Sequence, residues 1–254
     1  MSVIKNITAS IVVYKENTSE LNNAINSFLN CSSSIKLYLV DNSQNKTLAE
    51  VIKRDNIEYV FSGNNIGFGS GHNSILDKLT EESEYHLILN PDVVFQPQAI
   101  HKLIEELEKN KDASMIAPKV VYQDNSLQYT ARKYPTVLEL FCRFLGIFKN
   151  YTANKEYKNQ DLEKAFFPDF IHGSFMLFRT KDLLALNGFD NRYFLYMEDV
   201  DICKKIDQSG KTKLYYPEVE IIHTFKKGSS KNIKLFFIHM LSIIKYFMKW
   251  NFKI

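Results

Sequence analysis

The chain has 254 residues, enough for one large α/β domain that buries most of its apolar surface without disulfide staples. With 45% hydrophobic and 24% charged residues it is neither disordered nor of low complexity, and Cys31, Cys142 and Cys203 lack a C-x-x-C spacing, which excludes a disulfide framework or a cysteine zinc site and favours the cytoplasm. The net charge of +3 conceals an asymmetry, because residues 204–254 hold 11 lysines against 3 acids.

Ile7–Tyr14 is a continuous β-rich apolar run, Ser19–Asn30 has helical apolar spacing, and Ile35–Val40 reads as a strand again. The pattern continues with a helix near Thr47–Arg54, a strand Ile57–Phe61, a helix from about Ser70 to Leu79, and a strand Tyr85–Leu89 that ends in Asn90-Pro91-Asp92. A helix Pro97–Lys109 and a strand Ser114–Tyr122 follow. Beyond them, Gln128–Tyr134 is a strand, Val137–Phe148 an apolar helix and Asn150–Lys164 a polar connection. A strand His172–Arg179, a helix from Lys181 and a helix bearing Glu198-Asp199-Val200-Asp201 come next, then strands at Lys213–Tyr215 and Val219–His223 and a last helix from about Asn232. Alternation of this kind predicts an α/β fold with a mostly parallel sheet and helices on both faces. Ligands of such sheets bind at the carboxyl ends of the strands. With no internal repeat or Pro/Ser-rich linker, residues 1–231 are read as one domain and 232–254 as a C-terminal amphipathic, basic helix.

The strand ends carry the candidate chemistry. Asp41 either accepts from a nucleobase N–H or starts a turn with Asn42 and Ser43. The four-glycine segment 63–71 leaves free amides at a helix start, suited either to phosphate and ribose or to a tight turn; it lacks the Gly-Lys-Ser/Thr of a Walker A loop. Asp92 is either a ligand for a hard cation such as Mg²⁺ or a turn residue. Glu198, Asp199 and Asp201 crowd three carboxylates at a helix start, as caps or as a general base with a neighbour that tunes it. His223 ends a strand as a metal ligand, a proton carrier or an ordinary histidine. The apolar run Leu235–Met248 is broken by His239, Ser242 and Lys245 and falls short of the roughly 20 residues a bilayer span needs. Its three- and four-residue apolar spacing fits a helix lying in a membrane interface, or one packed on the domain or on a second subunit as a homodimer. The first apolar run is too short for a secretory leader, and no nucleic-acid partner is expected.

The order of these motifs is more specific than any one of them. Val-Asp-Asn-Ser after the second strand, Asn-x-Gly-Phe-Gly before a helix, Asn-Pro-Asp-Val, His-Gly-Ser-Phe-Met-Leu-Phe-Arg, Gly-Phe-Asp-x-x-Tyr-Phe-x-Tyr-x-Glu-Asp-Val-Asp-x-Cys and a downstream His223 resemble the family 2 inverting glycosyltransferases of GT-A fold. Asn90–Val93, Ala131–Thr136 and the Glu-Asp-Val-Asp block look most like the rhamnosyltransferases of O-antigen and cell-wall assembly. The resemblance implies that Asp41 contacts the pyrimidine of a nucleotide-sugar donor, that Asn65, Gly67 and Asn73 line ribose and diphosphate, and that Asp199 is the catalytic aspartate. Asp92 stands at the last position of the D-x-D metal motif, whose first aspartate is replaced by Asn90, so His223 becomes a second ligand for Mg²⁺ or Mn²⁺. Arg132, Lys133 and Glu198 are implied at the acceptor. The implied reaction moves L-rhamnose from dTDP-L-rhamnose onto a lipid-linked glycan at the inner face of the cytoplasmic membrane. The alternatives are a UDP-hexose-dependent transferase of the same fold and a non-catalytic module derived from it.

Overall fold

The computed structural model describes residues 6–32, 35–46, 48, 54–79, 83–145, 148–224 and 232–250. Strand β1 (Ile7–Val13) is buried along its whole length, the hydroxyls of Thr8 and Ser10 as well as its apolar side chains. Helix α1 (Thr18–Leu29) starts at Asn17, whose side chain accepts from the amides of Ser19 and Glu20. Strands β2 (Ile35–Asp41), β3 (Ile57–Phe61) and β4 (Tyr85–Leu89), with the short helix α2 (Phe68–Asn73), complete the first half. Strand β5 (Val93–Val94), helix α3 (Gln98–Lys109), β6 (Ala113–Val121), β7 (Leu127–Gln128), β8 (Ala131–Arg132), α4 (Val137–Leu145), α5 (Lys149–Lys155), β9 (Phe170–Ile171), β10 (Phe175–Arg179) and α6 (Thr180–Ala185) follow. The chain closes with α7 (Glu198–Gln208), β11 (Thr212–His223) and α8 (Ile233–Lys249).

Nine strands among the described residues form one sheet in the order β3-β2-β1-β4-β10-β6-β11-β5, with β7 alongside β6. Strands β3, β2, β1 and β4 are parallel, and β10 runs against both of its neighbours. The chain leaves β1 in one direction to β2 and β3, then returns to β4 on the other side. That reversal opens a crevice at the carboxyl ends of β1 and β4. One face of the sheet is packed by α1 and α3 around Ile11, Leu37, Leu87, Leu103 and Phe175. The other carries α7 and the aromatic end of α8 around Val40, Ile88, Met176, Ile202 and Phe247.

A buried polar chain ties α2 to the sheet. Thr8 Oγ1 donates to Ser83 Oγ at 2.8 Å, and Ser83 passes its proton to the Tyr85 carbonyl. Thr8 therefore accepts from His86 Nδ1 (2.7 Å), leaving His86 Nε2 to accept from Ser10 Oγ (2.8 Å), which in turn accepts from His72 Nδ1 (2.7 Å). Burial holds His72 well below the ordinary histidine range and His86 at about 3, so both rings stay neutral.

Several expected elements change. The helix expected over Ser70–Leu79 begins two residues earlier and stops at Asn73, with only a 3₁₀ turn at Leu76–Lys78. The two strands expected at Lys213–Tyr215 and Val219–His223 are one strand, with register shifts against β6 between Thr212 and Lys213 and between Tyr216 and Glu220. The polar connection Asn150–Lys164 contains α5, and Gln128–Tyr134 divides into β7 and β8, which pair with different partners. The helix expected near Thr47–Arg54 lies outside the described residues. The described part of the C-terminal helix packs on α7 through Tyr246, Phe247 and Trp250.

Candidate active site

Asp41 ends β2 and is completely buried. Its Oδ1 accepts from the Ser43 amide at 2.8 Å and its Oδ2 from the Tyr59 hydroxyl at 2.5 Å. The carboxylate raises the Tyr59 phenol above its usual range, secondary to burial. The turn and the carboxylate thus coexist, and each oxygen keeps a lone pair not used by these partners.

The loop after β3 is shaped by two amide side chains. Asn65 Oδ1 accepts from the Gly67 amide at 3.1 Å, and Asn42 Nδ2 donates to the Gly67 carbonyl at 3.0 Å. Gly67 has φ +93°, and a Cβ there would stand 2.2 Å from the Phe194 carbonyl oxygen, so only glycine fits between the loop and the segment before α7. Asn73 is committed elsewhere: its Nδ2 donates to the Phe189 carbonyl (2.7 Å) and its Oδ1 accepts from the Phe189 amide (2.9 Å). It holds the 188–191 turn onto α2.

Asn90-Pro91-Asp92 turns off the end of β4, and His223, 131 positions later at the end of β11, reaches the same point. His223 Nε2 lies 3.2 Å from Asp92 Oδ1 and 3.5 Å from Asn90 Nδ2. Behind the ring, Gln128 donates its Nε2 to the His223 carbonyl at 2.7 Å, so its Oε1, 3.0 Å from Nδ1, must receive the Nδ1 proton. The Nε2 lone pair then faces the Asp92 carboxylate and the Asn90 amide, a polar corner into which a cation fits. A histidine whose second nitrogen is fixed by a hydrogen-bonded partner is the usual form of a metal-ligating histidine. Nitrogen, carboxylate and the amide of Asn90 suit a hard to borderline divalent ion. No group of three or more His, Cys, Asp or Glu side chains suited to a metal occurs among the described residues, so further ligands would come from the substrate or water.

Asp199 lies in the first turn of α7. Its Oδ2 accepts from the Gly173 amide at 3.1 Å and its Oδ1 from the Val200 amide at 2.8 Å. Glu198 is 6% exposed, and its Oε2 is buried without a hydrogen-bond partner. Burial first and the Asp199 charge second push its carboxyl well above the usual range, which favours the protonated form. His172, in the His-Gly-Ser motif ahead of β10, is held low by burial. The Asp199 charge opposes that shift, and Arg132 and His223 reinforce it. The four groups therefore share one electrostatic neighbourhood. Arg132 is anchored by its Nε to the Tyr129 carbonyl (2.8 Å) and stands 3.5 Å from Glu156. Lys133 diverges from it, with Nζ on Asn154 Oδ1 at 3.2 Å and over the Tyr157 ring. The structure thus gathers Asp92, His223, Asp199, Glu198 and Arg132 on one side of the sheet's carboxyl edge and separates Lys133 from Arg132. Gln128 and His172 had no periodic or spacing signal of their own.

The family model described as glycosyl transferase family 2 matches residues 8–184, most of the sheet just described. The chain belongs to that family. It is a glycosyltransferase, and the non-catalytic alternative is set aside. Relatives include the rhamnosyltransferase WbbL of Escherichia coli, 28% identical over 83% of this chain and 81% of that one. An N-acetylglucosaminyl-diphospho-decaprenol L-rhamnosyltransferase of Mycobacterium tuberculosis is 27% identical over 74% of this chain and 66% of that one. A solved structure of GalNAc-T7 with UDP, GalNAc and Mn²⁺ superposes with a TM-score of 0.65 at 14% identity, covering 87% of this transferase and 43% of that chain. That likeness gives the GT-A fold. The family match ends before Glu198, so α7, β11 and His223 are described by the structure and not by that model.

Proposed function

We propose that this glycosyltransferase moves L-rhamnose from dTDP-L-rhamnose to a lipid-linked glycan precursor with inversion at the anomeric carbon. The observation that carries a transfer chemistry is the pairing, across 131 positions of chain, of Asp92 with His223 at the carboxyl edge of the sheet. The sugar and acceptor rest on relatives named as rhamnosyltransferases, one of them acting on a decaprenol diphosphate.

In this reading Asp41 takes the pyrimidine N–H on a free lone pair, and the partly exposed Tyr59 is the group that yields to admit it. The Asn65–Gly67 loop follows the ribose and diphosphate, while Asn73 keeps that loop in place through Phe189. Asp92 and His223 would hold Mg²⁺ or Mn²⁺, which supplies charge neutralisation for the departing diphosphate. Asp199 accepts the proton of the attacking hydroxyl, so the nucleophile comes from the acceptor and no covalent enzyme intermediate forms. Neutral Glu198 donates a hydrogen bond to an acceptor oxygen. Arg132 pairs with the acceptor diphosphate, and Lys133 belongs to the rim of that site. Donor hydrolysis and transfer assays with dTDP- and UDP-sugars test this: turnover of dTDP-rhamnose, lost in excess EDTA and restored by Mg²⁺ or Mn²⁺, is expected. Turnover of UDP-hexoses alone would favour the second reading, for which a hexosyltransferase relative from Haloferax volcanii speaks. An Arg132→Ala variant should raise the KM of a lipid diphosphate acceptor and leave that of the donor.

No described helix is long and apolar enough to cross a membrane. The outer face of α8 nonetheless exposes Ile233 (71%), Phe237 (65%), Leu241, Ile244 and Met248 (67%) at helical spacing. This face fits peripheral contact with an anionic leaflet where a lipid-linked acceptor resides, and the positive charge of residues 204–254 adds to the attraction once Lys205, Lys213, Lys245 and Lys249, all partnered within the fold, are set aside. The full chain should float with anionic liposomes at low salt and be released at high salt. Failure to float would remove the membrane from the proposal.

A further inference from the structure

The segment that delivers Asp199 into the site is strained. Tyr196 and Met197, immediately before α7, have φ of +70° and +69°. The left-handed region is disfavoured for a non-glycine residue, because its Cβ comes too close to the following carbonyl oxygen. Two such residues in succession persist only where the surroundings hold them.

The holding comes from α8 and the residue after it, some forty to sixty positions later in the chain. Ser242 Oγ donates to the Leu195 carbonyl at 2.8 Å, and Lys245 Nζ to the Arg192 carbonyl at 2.7 Å. Lys249 Nζ reaches Asp190 Oδ2 at 2.7 Å and Asp201 Oδ2 at 2.9 Å, and Trp250 Nε1 donates to Asp201 Oδ1 at 2.8 Å. The His239 ring lies 4.5 Å from that of Tyr196, centroid to centroid. Residues 239, 242, 246, 249 and 250 recur at three- and four-residue steps and form one face of the helix. They grip the strained turn before it, within it and one helical turn after it. Ser242 is nearly fully buried, so its hydroxyl has no water to replace the Leu195 carbonyl. His239 also feels the charge of Asp199, which opposes the lowering that burial imposes on the ring.

We propose that α8 is a positioning element of the catalytic centre: the face bearing His239, Ser242 and Trp250 holds the left-handed Tyr196–Met197 turn and so fixes the place of the Asp199 carboxylate. The proposal rests on Asp199 acting as the base. The hydrogen bonds described for the helix run to Leu195, Arg192, Asp190 and Asp201 and not to Asp92, His223 or Asp41, so loosening it should displace the base and spare donor binding. A misplacement of about 1 Å costs up to 10²-fold in rate.

The test uses the full-length enzyme. Ser242→Ala combined with His239→Ala should lower kcat by about 10- to 100-fold, with the Kd for dTDP and Mg²⁺ changed less than twofold. Glycine adopts positive φ without strain. Ser242→Ala should therefore cost clearly less in a Tyr196→Gly background than in the parent. Amide exchange over residues 195–199 should accelerate in Ser242→Ala ahead of the rest of α7. That last reading needs no turnover, so it separates failure of this proposal from failure of the functional one. Unchanged kcat with unchanged exchange, equal losses in both backgrounds, or a parallel loss of dTDP binding would each overturn it.

Discussion

Asp199→Asn is expected to lower kcat by about 10²–10⁴-fold, the span of general-base catalysis, while dTDP and metal binding stay within a few-fold of the parent. The argument is one of charge and geometry together. A hydroxyl attacking an anomeric carbon must lose its proton as the new bond forms, and an amide has no basic lone pair to take it. Asparagine has nearly the same shape, and its Oδ1 still accepts from the Gly173 or Val200 amide, as the aspartate does at 3.1 and 2.8 Å. One of those two donors then faces an NH₂ group, a local cost of about 1–3 kcal/mol that stability measurements will register separately. The donor subsite, built from Asp41, the Asn65–Gly67 loop and the Asp92–His223 pair, has no hydrogen bond to Asp199 and should be left intact. Equilibrium titration with dTDP alongside steady-state transfer assays resolves the two effects. A folded variant that keeps a tenth or more of the parent's kcat removes Asp199 from the role of base.

Much of the site's scaffold could be read from sequence because each part is local. Strand ends followed by Asp41-Asn42-Ser43 and Asn90-Pro91-Asp92 are breaks in apolar runs, and those breaks fall where β2 and β4 end. The same local logic erred at α2. The run of glycines suggested a start at Ser70, yet the Asn65–Gly67 turn and the fit of Gly67 against Phe194 let the helix begin at Phe68. Long-range pairings left no local trace. Gln128 sits in a two-residue strand, and nothing in its neighbours marks it as the partner of His223. The apolar spacing of α8 identified an amphipathic helix but not which face docks. That choice is made by Ser242, Lys249 and Trp250, polar groups that find their partners on the far side of the fold. His72 and His86 likewise resemble ordinary histidines in sequence, although the fold closes them into one directional chain with Thr8 and Ser10.

Glu198→Gln should stabilise the enzyme, and by an amount that grows with pH. In the folded chain burial, with the Asp199 charge as a second cause, raises the Glu198 carboxyl well above its ordinary range. The unfolded chain titrates near the reference value, at about 4.3. Between those two values the folded state binds a proton that the unfolded state has released, so stability falls as pH rises. The contribution is fully present below the unfolded pKa and is lost as pH climbs through the folded one. Glutamine carries no such proton and lacks this slope. The difference in unfolding free energy between variant and parent should therefore be small near pH 4 and widen by about 1.4 kcal/mol per pH unit across the window. Because burial is the larger cause, the trend should persist in an Asp199→Asn background, where the window narrows but does not close. The unpartnered Oε2 of Glu198 is replaced by a group that can still donate, so transfer activity should survive far better than in Glu198→Ala. Denaturant titrations at pH 4.5, 6 and 7.5 decide the matter. Parallel stability curves for parent and Glu198→Gln would mean that Glu198 is ionised in the folded enzyme, and its place as a neutral donor at the acceptor would be lost.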